Sequence, residues 1–208
     1  DPDFVKKLWK FAKEKNMVII DDEVQAGFGR TAIKKGDWFA CMSYDVVPDI
    51  MVIGKSFGGG YPVTAVVTNE DISDAMKPGY DGSTFGGNPM AMTAALIATR
   101  QMKELNLTEN VIARAKQLRT GLEKLKSKYD FIGDITGRGL MIAFSLDSVD
   151  MVDKLTKNLY DEGVKTSLST DDYIRFLPPL IISKEEIEEL LSRLDRAFLN
   201  IKKSYVVL

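Results

Sequence analysis

The chain has 208 residues, 45% of them hydrophobic and 28% charged, a balance that describes a globular protein of one or two domains with room for a sizeable core. Lysine and arginine total 28 against 30 aspartates and glutamates, which offers no basic surface for a phosphate backbone and argues against a nucleic-acid partner. Histidine is absent, which excludes Ser-His-Asp and Cys-His catalysis and imidazole metal ligation, and leaves lysine, carboxylates, tyrosine or a cofactor to carry any chemistry.

Val5, Leu8, Trp9 and Ala12 recur at helical spacing and predict a first helix. A short apolar run over 17–20 follows and ends at Asp21 and Asp22. A second run, over 50–53, comes after Pro48 and Asp49 and stops at Gly54 and Lys55; a third covers 64–68. Continuous apolar runs predict strands buried on both faces, as in a parallel or mixed sheet covered by helices. Active sites in such sheets lie beyond the carboxyl ends of the strands, where Asp22 and Lys55 both fall.

From Pro89 the pattern turns to long helices, over 90–105 and 111–126, the second with Val111, Leu118, Leu122 and Leu125 on one face. Short strands are predicted around 140–146, 164–168 and 173–176, with helices over 152–162 and after Ser183. Ser183 and Glu186 have the spacing of a capping box, and Ile187, Leu190, Leu191, Leu194, Phe198 and Ile201 give the last helix a buried stripe. The expected class is α/β, with residues 1–106 belonging to a larger, sheet-based domain and 107–208 forming a small α+β domain.

The single cysteine, Cys41, cannot form an internal disulfide and has no second thiol for a metal site, which fits a reducing compartment. No metal is expected. No apolar run approaches the roughly 18 residues of a membrane span, and Asp1 to Asp3 lack the features of a signal peptide, so the expectation is a cytoplasmic protein without a membrane partner.

Three strings could carry chemistry. In IIDDEVQAGFGRT, acids at a strand end usually serve as turn or cap residues, but the glycines that follow permit backbone to come close to a ligand. In DIMVIGKSFGGGYPV, Lys55 follows a strand expected to be buried. Desolvation there would lower its pKa and favour imine chemistry, whereas an ordinary surface lysine would do nothing. A P-loop is excluded, because its first glycine would fall on Asp49 and a strand occupies the intervening residues. In YDGSTFGGNP, hydroxyls and backbone N–H groups opening into a helix at Pro89 could hold a phosphate, or could simply cap that helix.

Together with GRGL and IRFLPPL, these strings resemble, in order and over nearly the whole chain, the class III pyridoxal-phosphate-dependent aminotransferases of the ornithine and acetylornithine type. The resemblance implies the C-terminal part of a fold type I large domain over 1–106, followed by the family's small domain. It also implies transfer of an amino group from an ω-amino donor to 2-oxoglutarate, with pyridoxal 5'-phosphate as cofactor. Under it, Lys55 is the Schiff-base lysine and Asp22 the partner of the cofactor's ring nitrogen. Gln25 contacts the phenolic-oxygen side, and Arg175 pairs with the substrate carboxylate. Thr84 reaches the phosphate bound by a neighbouring subunit, which implies a homodimer. Arg138 in GRGL is read as structural.

The chain departs from the family in two places. The segment GRTAIKKGDWFACMSYD implies a longer surface loop. The family's glycine-serine phosphate cradle and ring-stacking aromatic, which precede the segment matching Asp1, have no counterpart here, so a missing N-terminal half is expected as a partner. A 4-aminobutyrate aminotransferase, an amino-acid racemase and a non-catalytic piece contributing packing and dimer contacts stay open as alternatives.

Overall fold

The computed structural model describes residues 1–80, 82–166 and 172–206. It divides into two compact units, Asp1–Thr108 and Glu109–Leu208.

The first unit opens with helix α1 (Pro2–Glu14), where Asp1 caps the N-terminus by accepting from the Asp3 N–H and Pro2 occupies the first turn. Strand β1 is Ile20–Asp22, β2 is Ile50–Ile53 and β3 is Ala65–Thr68. They form a three-stranded sheet in the order β1-β2-β3. β1 runs parallel to β2, pairing Ile20 with Ile50 and Asp22 with Val52, whereas β3 returns antiparallel. β1 starts later than the apolar run suggested, because the N–H of Ile19 is taken by the Asp49 side chain rather than by a neighbouring strand. Short helices α2 (Ala40–Ser43) and α3 (Glu70–Ser73) and a 3-10 turn at Lys55–Gly58 fill the connections. Helix α4 (Pro89–Glu104) is capped by Asn88, which accepts from the Ala91 N–H.

Burial of the strands on both faces is not what the chain shows. Ile20 is 63% exposed, Val66 67% and Val67 51%, because among the described residues this sheet has three strands with β1 and β3 at its edges and nothing packed over these side chains. Phe4, Leu8 and Phe11 on α1 are likewise exposed.

Helix α5 (Leu107–Lys128) begins where the two units meet in sequence, and the second unit continues with β4 (Ile132–Arg138), β5 (Met141–Leu146), helix α6 (Val149–Asp161), β6 (Tyr173–Phe176) and helix α7 (Lys184–Val206). The sheet is antiparallel, in the order β4-β5-β6. β5 alternates cleanly, burying Ile142, Phe144 and Leu146. β4 escaped the sequence pattern because its residues, IGDITGR, are largely small or polar and it lies at the sheet edge. Val164 to Thr166 form no strand, and the rest of the stretch expected to be one lies outside the described residues. The capping box is present: Ser183 N–H donates to Glu186 Oε2 at 2.7 Å, and Glu186 N–H to Ser183 Oγ at 3.1 Å. The α/β class is borne out, with a mixed sheet first and an α+β unit second.

The second unit's core centres on Phe198 of α7, whose ring meets those of Tyr129, Phe131 and Phe144 edge-on at 5.4 to 5.9 Å. Such pairs add to the burial of the rings themselves. Phe198→Ala should therefore cost about 3–5 kcal/mol of stability, read as a lowered midpoint in urea unfolding followed by circular dichroism, whereas the exposed Leu199→Ala should leave that midpoint nearly unchanged.

Candidate functional site

The register of β1 on β2 is what sets the candidate site. Asp49 brackets Ile19: its carboxylate accepts the Ile19 N–H at 2.8 Å, and its own N–H donates to the Ile19 carbonyl at 2.9 Å. Lys13 of α1 forms an ion pair with the same carboxylate, and Thr68 Oγ1 donates to the Asp49 carbonyl at 2.8 Å. One residue thus ties helix α1 and all three strands together at their common end. The Lys13 hydrogen bond, with the Ile19 N–H, holds the Asp49 carboxyl below the usual aspartate range.

At the opposite end of the same strands lie Asp22 and Lys55. Asp22 ends β1 with its side chain exposed and Oδ1 accepting the Val24 N–H at 3.0 Å, a short-range bond that orients the carboxylate. Lys55 lies two residues beyond β2, with φ at 45°. This left-handed conformation is strained for a residue with a side chain, and such strain concentrates at functional positions. Ile53 and Gly54 before it are buried, but Lys55 is exposed. The desolvation expected from the sequence is therefore not supplied by this chain. A Cβ at Gly54 would stand 3.1 Å from Thr64 Cγ2 and 3.4 Å from Val24 Cγ1, so the backbone leading to Lys55 is held against both the third strand's approach and the turn after Asp22.

That turn carries Gln25, half-buried, and then Phe28, buried with φ at 57°. Phe28 stacks on Phe57, two residues after Lys55, at 5.3 Å and 14°, and meets Phe39 edge-on at 5.4 Å. Phe57 in turn packs on Val63, Ala91 and Ala95, the last two on α4. The turn bearing Gln25, the turn bearing Lys55 and helix α4 therefore share one small apolar cluster. Thr84 is exposed in the turned segment just ahead of Asn88 and α4; Asp81 of that segment lies outside the described residues. Arg175 is in the second unit, half-buried on β6 and paired in register with Ala143. Arg138 ends β4 at the turn to β5, where Gly137 has φ at 98° and a Cβ would clash with the Met141 carbonyl at 2.0 Å. The segment expected to be a longer loop is organised around buried Asp37, which accepts from Ser43 Oγ at 2.7 Å and from the N–H of Ile33 and Lys34 at 3.3 and 3.1 Å.

Two residues that sequence reasoning passed over are prominent here. Asp49 read only as the start of a strand; that it pins Ile19, thirty positions away, has no local signal. Glu23, the middle acid of the string, is fully buried. Its Oε1 accepts the Cys41 N–H at 3.0 Å, and with Asp21 and Cys41 it brings three donor atoms within 4.8 Å of one another. Burial pushes the Glu23 carboxyl up to about 7 and the Cys41 thiol to about 11, so Cys41 is an inert thiol rather than a nucleophile.

Comparison with known proteins comes to one family. The aminotransferase class-III model matches residues 1–198. An acetylornithine aminotransferase of Methanocaldococcus jannaschii is 42% identical over 205 residues, which are 98% of this chain and 50% of that protein. A leucine/methionine racemase of Thermococcus litoralis is 33% identical over 212 residues, covering 98% of this chain and 47% of its own length. A crystallised ornithine aminotransferase of Toxoplasma gondii, with pyridoxal phosphate at partial occupancy in its active site, superposes with a TM-score of 0.89 at 33% identity, over 97% of this chain and 47% of its own. The chain spans about half the length of the curated relatives it matches. Among the described residues, no helix is long and apolar enough to cross a membrane.

Asp49→Ala should cost about 1–3 kcal/mol by leaving the Ile19 N–H without its acceptor. Because the folded carboxyl titrates below its ordinary value, the stability it contributes is present above the usual aspartate pKa and is lost as pH falls through the folded one. The gap in melting temperature between wild type and Asp49→Ala should accordingly be widest near neutrality and close in acid.

Proposed function

The chain belongs to the class-III aminotransferase family, and from that premise we propose that it is the lysine-bearing half of a pyridoxal-phosphate-dependent aminotransferase, moving an amino group from an ornithine- or acetylornithine-like ω-amino donor to 2-oxoglutarate. The observation that carries this reading is the pairing of an exposed carboxylate and an exposed, backbone-strained lysine at the carboxyl ends of adjacent parallel strands held in one register. The donor set fits the cofactor: an amine for its carbonyl carbon, a carboxylate for its ring nitrogen, an amide for its phenolic oxygen and a hydroxyl for its phosphate.

In this reading Lys55 is the covalent attachment point, and its amine, once released, would take the proton from the substrate carbon that bears the amino group and deliver it to the cofactor carbon to which the lysine had been attached. Asp22, oriented by the Val24 N–H, keeps the pyridine nitrogen protonated. The bound cofactor supplies an electron sink for the carbanion developing on the substrate. Gln25 holds the phenolic-oxygen side, Thr84 contributes to phosphate binding in a neighbouring subunit of a homodimer, and Arg175 takes the substrate carboxylate as a bidentate partner. The rest of the site, a stacking aromatic and a phosphate cradle, belongs to a companion N-terminal segment. The open sheet edges of β1 and β3 and the exposed Ile20, Val66 and Val67 support such a segment, since unpaired edges and bare apolar faces invite cover.

A second reading, amino-acid racemisation on the same scaffold, is favoured by the likeness to the leucine/methionine racemase. Product analysis separates them: consumption of 2-oxoglutarate with formation of glutamate supports transfer, and loss of optical activity without it supports racemisation.

Borohydride reduction of the native, cofactor-loaded protein should leave a phosphopyridoxyl group on the peptide that contains Lys55, and labelling of another lysine would sink the assignment. Asp22→Asn, nearly isosteric, should lower kcat with little change in KM; Arg175→Ala should raise KM for both amino donor and oxo acid. Steady-state kinetics with each substrate varied in turn checks both.

A further inference from the structure

Glu23 is joined to its surroundings on every side. Its N–H donates to the Val52 carbonyl of β2 at 2.9 Å, its carbonyl accepts the Gly27 N–H at 2.9 Å, and Oε1 accepts the Cys41 N–H at the start of α2. Gly27 itself is packed so tightly that a Cβ would lie 2.8 Å from the Glu23 carbonyl. Side chains alternate along a strand, so a residue held this way on the buried side fixes the direction in which Asp22, its neighbour on the other side, points. The remaining oxygen, Oε2, is buried and finds no N–H or hydroxyl. An Asp21 carboxylate oxygen lies within 4.8 Å of one of Glu23's, and two acids this close, one of them fully buried, favour a proton on one of the pair. Burial raises both carboxyls, but Glu23 is fully buried with Oε2 unpartnered whereas Asp21 is only partly buried, so the proton is assigned to Glu23. The other groups acting on the pair are the Cys41 thiol, the N–H groups of Ala40 and Cys41 and, on Asp21, the Asp22 charge; none of those described is cationic.

We propose that Glu23 is a positioning residue for Asp22: a neutral carboxylic acid that bolts the carboxyl end of β1 to the start of α2, accepting from Cys41 and donating to Asp21. Its importance for turnover rests on the cofactor role proposed for Asp22; its protonation does not. Gln reproduces both hydrogen bonds of the neutral acid, with the amide oxygen on the Cys41 N–H and the amide nitrogen donating to Asp21. Leu fills the space and makes neither.

The test uses the native protein and its Glu23→Gln and Glu23→Leu variants. Infrared spectra should show a protonated-carboxyl band at pH 6 in wild type that disappears on titration through about 7 and is missing from Glu23→Gln. The folded carboxyl is raised, so its contribution to stability is full below the ordinary glutamate value and is lost as pH rises through the folded one. The melting temperature of wild type relative to Glu23→Gln should thus fall between about 4.5 and 7 and stay level above. Glu23→Leu should lose about 10²-fold in kcat with little change in KM, as expected for a misplaced catalytic group, and Glu23→Gln should restore it. An ionised Glu23 at pH 6, or a Gln variant as impaired as the Leu one, overturns the proposal. So does stoichiometric Co²⁺ binding with a thiolate absorption band lost in Cys41→Ser, which would make the trio a metal site. Absence of cofactor from wild type would refute the functional reading while the infrared and melting results still decide the protonation of Glu23.

Discussion

Everything proposed for this chain depends on one register, that of β1 on β2. The period of a strand is two, so a slip of a single residue would exchange the two faces of β1, carrying Asp22 to the buried side and leaving Glu23 exposed. Asp49 prevents the slip by gripping Ile19 with both its carboxylate and its main chain, and Glu23 completes the constraint at the other end through Val52. Between these two acids the strand pair is only three to four residues long, too short for ladder hydrogen bonds alone to make the alignment unique. The apolar cluster of Phe28, Phe57, Ala91 and Ala95 then settles the turns that carry Gln25 and Lys55 onto that frame.

Much of the architecture was legible because the chain punctuates its elements with residues of one physical meaning. Apolar residues at helical spacing mark α1, apolar runs stop at Asp22 and Gly54, Pro89 starts α4, and Ser183 with Glu186 starts α7. Elements without such punctuation were missed: β4, built from small and polar residues at an edge, and the short helices α2 and α3. At the candidate site, the position of Asp22 and Lys55 beyond strand ends could be read directly. The exposure of Lys55 could not, because an apolar run says that a strand prefers cover without saying which chain supplies it. Asp49 and Glu23 were invisible for a different reason: their partners, Ile19 and Cys41, are thirty and eighteen positions away.

The bare faces of the first sheet and of α1 bear on the same point. A strand run of Ile, Met and Val, exposed as far as Ile20 and Val66 are, is costly to leave in water. The second unit contrasts with it, for its sheet and helices enclose Phe144, Leu194 and Phe198 with no exposure at all. The chain spans about half the length of the relatives it matches, and of its two units it is the second that encloses its own core.

The most direct test of the central claim is a crystal structure of the native protein containing this chain, grown with pyridoxal phosphate. The account predicts continuous electron density from the Lys55 side chain into the cofactor, with the pyridine nitrogen at hydrogen-bond distance from the Asp22 carboxylate. A cofactor held through another lysine, or a ring nitrogen turned away from Asp22, would contradict it.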